Sequence, residues 1–247
     1  MRIAPGIEML ELTSPGSGML IHPTVVYDEE GYVLIDTGLP GCRDATLGLI
    51  SQAGLDPDKL RAIILTHQDM DHIGGLPQWL ASAKPAALDV YAHEGDRNAI
   101  DGKEPLIKMT PERMAGMLQA MPEPLRETFQ SFFSGNNANV TYTVADGETL
   151  PFGGGLKVIH TPGHTPGHMS LYHEASRTLI AGDAMNVNGG ELNGPNPPFT
   201  PNMPQAIQSL RRFAEYSIDT VICYHGGRYS GGDVNGRIAE LAAAEQA

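Results

Sequence analysis

Four residues able to bind a metal ion fall within six positions in His67-Gln68-Asp69-Met70-Asp71-His72. His67 and Asp69 alternate with Gln68, so on an extended chain they share a face. Asp71 and His72 stand where a helix would start, and a carboxylate is favoured at a helix N-terminus. The Gly74-Gly75 pair just beyond lets backbone pack closely. A helix cap would account for Asp71 alone. It explains neither two imidazoles nor two carboxylates gathered at one point, and that gathering is the donor set of a metal site. A second concentration is His160-Thr-Pro-Gly-His164-Thr-Pro-Gly-His168, where Pro and Gly stiffen a tight loop. His164 is its central candidate; His160 and His168 read as residues behind the ligands or facing a sheet. Asp183 ends the run Ile180-Ala181-Gly182, and His225 follows Cys223-Tyr224. Alone, Asp183 would be a turn residue, and Cys223 reads as a small buried apolar group. All four positions follow an apolar run, and in sheet-based folds ligand sites gather at the carboxyl ends of strands.

The elements that must position these residues are legible from periodicity. Residues 7–12, 20–27 and 32–35 read as strands, with an acidic hairpin turn at 28–31. Residues 41–54 show helical spacing, and 60–66 form an apolar strand of the kind buried on both faces. A helix is expected from about 71 to 83 and a strand over 88–92. The character changes over 101–139, where prolines punctuate a segment rich in Met and Phe; this predicts a helical excursion, a lid or a packed pair of helices. Strands are expected at 140–145, 156–160, 169–173, 178–181 and 220–224, helices at 205–216 and 234–244, and a long loop over 186–204. The order suggests two related halves, each a sheet covered by helices. No linker separates them, so one domain over 1–247 is expected.

Composition narrows the classes. The chain has 247 residues and a formal net charge of −13, which repels phosphate backbones and argues against a nucleic-acid partner. No apolar run approaches the roughly 20 residues that span a bilayer, and no signal-peptide pattern opens the chain. Two cysteines, Cys42 and Cys223, cannot make a disulfide framework. A cytoplasmic protein acting on a small molecule, with no membrane partner, is expected; the Met-rich segment also suits a homodimer contact.

In order and approximate spacing, Asp36-Thr37-Gly38, the His67–His72 motif with Gly74-Gly75, His164 in TPGHTPGH, Asp183 in AGD and His225 in YHGG resemble the metallo-β-lactamase-fold hydrolases. The likeness runs from about residue 25 to 227. It implies an α/β fold, a four-layered αββα sandwich, with a site for two divalent metal ions on one edge. It implies His67, Asp69 and His164 as ligands of one ion, Asp71, His72 and His225 of the other, Asp183 as a bridge and Asp36 as a structural acid beneath. The family pattern is HxHxDH; here Asp69 replaces an imidazole. Three aspartates and a hydroxide would then balance two divalent cations, a site one unit less positive than the family's. Oxygen donors move preference from zinc toward manganese or iron; zinc, which also accepts carboxylates, is still the expected ion. A weakened first site and a mononuclear enzyme is the other consequence.

The chemistry expected is hydrolysis. A bound divalent ion lowers the pKa of water from about 15.7 toward ~7, and Asp71 would orient that nucleophile toward an acyl or phosphoryl centre. The leading expectation is a lactonase, esterase or thioesterase acting on a small acyl substrate. TPGHTPGH resembles the glyoxalase II thioesterases, but the basic C-terminal helical domain of those enzymes has no counterpart in the short stretch after His225. Asn193 or Phe199, in the loop after Asp183, would face substrate. A di-iron oxidoreductase-type site using the Asp69 carboxylate, or a phosphodiester hydrolase, are the alternatives.

Overall fold

The computed structural model describes residues 1–82 and 88–244. Its first sheet has seven strands in the order Arg2–Ala4, Ile7–Met9, Thr24–Asp28, Gly31–Ile35, Leu60–Ile64, Asp89–His93, Tyr142–Val144. Pairing is antiparallel up to Gly31–Ile35 and parallel from there on. The second sheet orders six strands as Thr149–Leu150, Leu156–His160, Met169–His173, Thr178–Gly182, Thr220–Cys223, Gly227–Ser230. There only the Thr178–Gly182 pairing with Thr220–Cys223 is parallel.

Alternation along the strands builds the layers. From Gly31–Ile35, Val33 and Ile35 turn inward to meet Leu156, Val158, Leu171, Ile180 and Ile222 of the other sheet. Tyr32 and Leu34 of the same strand turn outward, under the helices Arg43–Gln52 and Leu76–Ser82 and against Phe129 and Phe132. On the other side Leu179, Val221 and Cys223 face Leu210, Phe213 and Ile238 of the helical segments that cover the second sheet. Strands buried on both faces explain the unbroken apolar runs. The four-layered αββα sandwich expected from the motifs is the fold observed.

Several boundaries differ from expectation. The strand expected over 7–12 splits: Ile7–Met9 joins the large sheet, while Leu12–Thr13 pairs with Leu20–Ile21 as a separate ribbon. The helix expected over 71–83 is two, Met70–Ile73 and Leu76–Ser82, and Ala83 lies outside the described residues. Pro77 lacks the N–H that would continue the ladder, and a Cβ on Gly75 would stand 2.2 Å from the Thr37 carbonyl oxygen. The break lets the ligand-bearing turn press against Thr37. A helix, Glu94–Ile100, is present where none was read. The expected loop over 186–204 contains a hairpin, Asn186–Asn188 with Glu191–Asn193, turned at Gly189-Gly190. The excursion holds two helices, Pro111–Ala120 and Glu123–Phe132.

Candidate metal centre

The candidate ligands follow the carboxyl ends of four strands on one edge of the sandwich. After Leu60–Ile64 the chain stays buried through Leu65 and Thr66, then turns at His67. Asp69 is extended and precedes the short helix that carries Asp71 and His72. His164 lies in the Pro/Gly loop after Leu156–His160, Asp183 follows Thr178–Gly182, and His225 follows Thr220–Cys223.

The fold brings all seven together in two groups. His67, Asp69, His164 and Asp183 offer one donor atom each within 4.8 Å of one another, as do Asp71, His72 and His225. His164 Nε2 is 2.9 Å from Asp69 Oδ2 and 3.3 Å from Asp183 Oδ2. His225 Nε2 is 3.1 Å from Asp71 Oδ2 and 3.4 Å from the same Asp183 oxygen. The other Asp183 oxygen is 3.4 Å from His72 Nε2. Asp183 therefore stands between the groups. His67 Nε2, His72 Nε2 and Asp183 Oδ1 are buried without a hydrogen-bond partner. Buried polar atoms are almost always paired, so nitrogen and carboxylate donors aimed at a common space fit a divalent cation.

Residues behind the donors hold their orientation. Asp36, 1% exposed and at a positive φ of 63°, accepts from the Thr66 N–H, the Thr66 hydroxyl and His72 Nδ1. His168 Nε2 accepts the Asp183 backbone N–H at 3.0 Å. Burial, reinforced by the neighbouring His67 and His164, holds His168 well below the usual imidazole range, so it stays neutral. His160 faces away and stacks on His93 with centroids 3.8 Å apart. The Tyr224 hydroxyl donates to the Asp71 carbonyl, and its ring lies 3.8 Å from the His72 ring. Burial raises the Cys223 thiol and keeps it protonated.

Asp96 is a part that sequence reading missed. It accepts from Gln68 N–H and Nε2, from the Thr165 hydroxyl and from the Gly167 N–H, at 2.6 to 2.9 Å. It thus ties the His67–His72 turn to the His164 loop. The available signal was Glu94 and Asp96 just after a strand, the acidic first turn of a helix.

The electrostatics fit a cation. Burial opposes charge on His72, yet the Asp36, Asp183 and Asp71 carboxylates outweigh it and hold the imidazole well above its usual range. His225 is pushed up to about 10: burial works against this, and the bonds to Asp183 and Asp71 win. Protons on these rings stand where a metal would.

A model of the metallo-beta-lactamase superfamily matches residues 18–225. The chain belongs to this superfamily. It is 30% identical to the probable metallo-hydrolase YflN of Bacillus subtilis (strain 168), over 87% of this chain and 83% of that protein. It is 25% identical to the N-acyl homoserine lactonase AiiA of Bacillus thuringiensis subsp. kurstaki, over 76% and 72%. Among solved structures, the metallo-beta-lactamase family protein TTHA1429 from Thermus thermophilus superposes with a TM-score of 0.67 at 25% identity, covering 97% of this chain and 79% of that one.

A cavity opens over the candidate metal centre. It measures about 430 Å³, with Asp69, Asp71, Asp183 and His225 at its floor and Leu39, Met70, Met109, Met117, Met185 and Phe199 among its walls. Met109 and Met117 come from the helical excursion, which therefore forms a pocket wall. Phe199 lines the cavity. Asn193 does not: it sits in the hairpin, where its Nδ2 donates to the Glu191 carbonyl. Lys108, which no motif marked, reaches the first group, with Nζ 2.5 Å from Asp69 Oδ2 and 2.7 Å from His164 Nε2.

Proposed function

We propose that this metallo-hydrolase opens lactones or carboxylic esters, or thioesters, that bear an apolar acyl chain. The observation that carries the reading is the juxtaposition of an aspartate–imidazole floor with walls of Met, Leu and Phe in one cavity of about 430 Å³. The N-acyl homoserine lactonases among the relatives support it. Flexible methionine side chains adapt to acyl chains of varied shape. Zinc is the ion proposed, held by donors drawn from the two groups, His67, Asp69, His164 and Asp183, and Asp71, His72 and His225. A bound divalent ion supplies Lewis acidity to the acyl oxygen and a lowered water pKa.

The chain's own groups do the rest. Asp71, part-buried at the cavity floor beside His225, orients the attacking water as well as offering a donor to the ion. The apolar walls exclude bulk water and hold the acyl chain so that its carbonyl meets the floor. Asp36 keeps the His72 ring from turning, and His168 holds the backbone of Asp183 in place. No helix among the described residues is long and apolar enough to cross a membrane. Cys42 and Cys223 are both buried and unpaired, which suits a reducing compartment such as the cytoplasm.

The test is a panel of lactones, esters, thioesters and phosphodiesters, each with acetyl-sized and octanoyl-sized groups where an acyl chain exists, run with zinc, manganese and iron. Octanoyl substrates should exceed acetyl ones in kcat/KM by tenfold or more, since each buried methylene is worth about 0.8 kcal/mol. Turnover confined to phosphodiesters would overturn the acyl reading.

A further inference from the structure

Lys108 occupies the first half of the metal centre. Its Nζ lies within hydrogen-bond distance of two candidate ligand atoms, Asp69 Oδ2 and His164 Nε2, themselves 2.9 Å apart. A lysine ammonium has three donors and no acceptor. It therefore donates to the Asp69 carboxylate, and it stands at the His164 nitrogen that an ion would use. Zinc ligands stand about 2.0–2.2 Å from the ion. An ammonium this close to both donors and a divalent ion between them exclude each other.

The position of Lys108 is built, not accidental. The neighbouring Ile107 N–H donates to Gln68 Oε1 at 2.8 Å, and Gln68 Nε2 donates to buried Asp96 at 2.8 Å. Gln68 lies between His67 and Asp69, so the segment carrying Lys108 is fastened to the ligand turn itself. On its other side the Lys108 carbonyl accepts from Arg113 Nη1, one turn into the helix Pro111–Ala120. Only 19% of the Lys108 side chain is exposed.

The substitution that distinguishes this chain's motif then has a reason. An imidazole at position 69 would offer an ammonium no counter-charge; Asp69 offers a full one. With Lys108 in place, the first group retains His67 and Asp183, too few for a closed site. The second group, Asp71, His72 and His225 with Asp183, supplies four donors, enough for one ion that takes a water as its fifth ligand. One divalent ion and one ammonium balance the charges of Asp69, Asp71 and Asp183.

We propose that Lys108 is a built-in cation replacing one of the two ions, so that the enzyme binds a single divalent ion, at Asp71, His72, His225 and Asp183. This rests on the metallo-hydrolase reading and narrows its metal content. The test is elemental analysis of stripped protein reloaded with excess zinc and exhaustively dialysed, for the wild type, Lys108→Met and Lys108→Gln. Circular dichroism selects the variants that keep the native spectrum, and either one suffices. One zinc per wild-type chain and two per variant chain is the expected result. Two zinc ions in the wild type, or one in both wild type and variant, overturns the role of Lys108 and leaves the metallo-hydrolase reading standing. No zinc in any of the three removes the metal centre altogether.

Discussion

His72 donates Nδ1–H to the Asp36 carboxylate at 2.8 Å, and this bond aims Nε2 at Asp183. The same carboxylate holds Thr66 through two more bonds, and the Thr66 hydroxyl lies 3.0 Å from His67 Nδ1. One buried acid thus orients both imidazoles of the central motif. Asp36→Asn keeps the shape but turns an NH₂ toward a donor. Metal affinity should fall 10- to 100-fold, and stability of the metal-free protein by about 3 kcal/mol in urea titration. An affinity within twofold of the wild type would show that Asp36 does not set the ring.

Asp96 should matter as much as any ligand to the integrity of the site. Its four bonds join two loops that are remote in sequence, and it is 1% exposed. Asp96→Ala leaves those donors buried without an acceptor and should destabilise the fold by at least about 3 kcal/mol. The milder Asp96→Asn should weaken zinc binding measured by competition with a chelator. Unaltered zinc affinity in a folded Asn variant would deny Asp96 its tying role.

Metal uptake should be strongly pH-dependent. The His225 imidazole is raised to about 10 through its bonds to Asp183 and Asp71, so at neutral pH the ion must displace its proton. Affinity should rise with pH, by up to tenfold per unit for this proton, and level off near pH 10. In the metal-free protein the same pairing contributes stability fully below about pH 6.5 and loses it as pH rises through about 10. Calorimetry in buffers of differing ionisation enthalpy counts the protons released; a count of zero at pH 7 contradicts the assignment.

Phe199 offers a test of the pocket separate from the metal. It is 57% exposed and lines the cavity, so Phe199→Ala should change stability by no more than about 0.5 kcal/mol. KM for an octanoyl substrate should rise about fivefold, near 1 kcal/mol of lost apolar contact. KM for an acetyl substrate should hold steady. Equal effects on both substrates would place the acyl chain elsewhere.

Local pattern carried much of this molecule. Strands 156–160 and 169–173 were legible to the residue, because buried strands alternate with turns made by Gly and Pro. The helix break at Gly74-Gly75 was not, since it depends on how closely Thr37 approaches from another strand. The hairpin over Asn186–Asn193 was hidden because its strands are only three residues each and rich in Asn.

Residue types and spacing by themselves marked the candidate donors and the strand ends that present them, since side-chain chemistry and backbone period are written locally. Tertiary structure alone decided what surrounds those donors. Asp96 bridges to residues 28 and 69 or more positions away, and Lys108 reaches across 39 and 56 positions to Asp69 and His164. A charge on a flexible four-carbon stem bears no periodic mark; only the packed chain places it among the ligands.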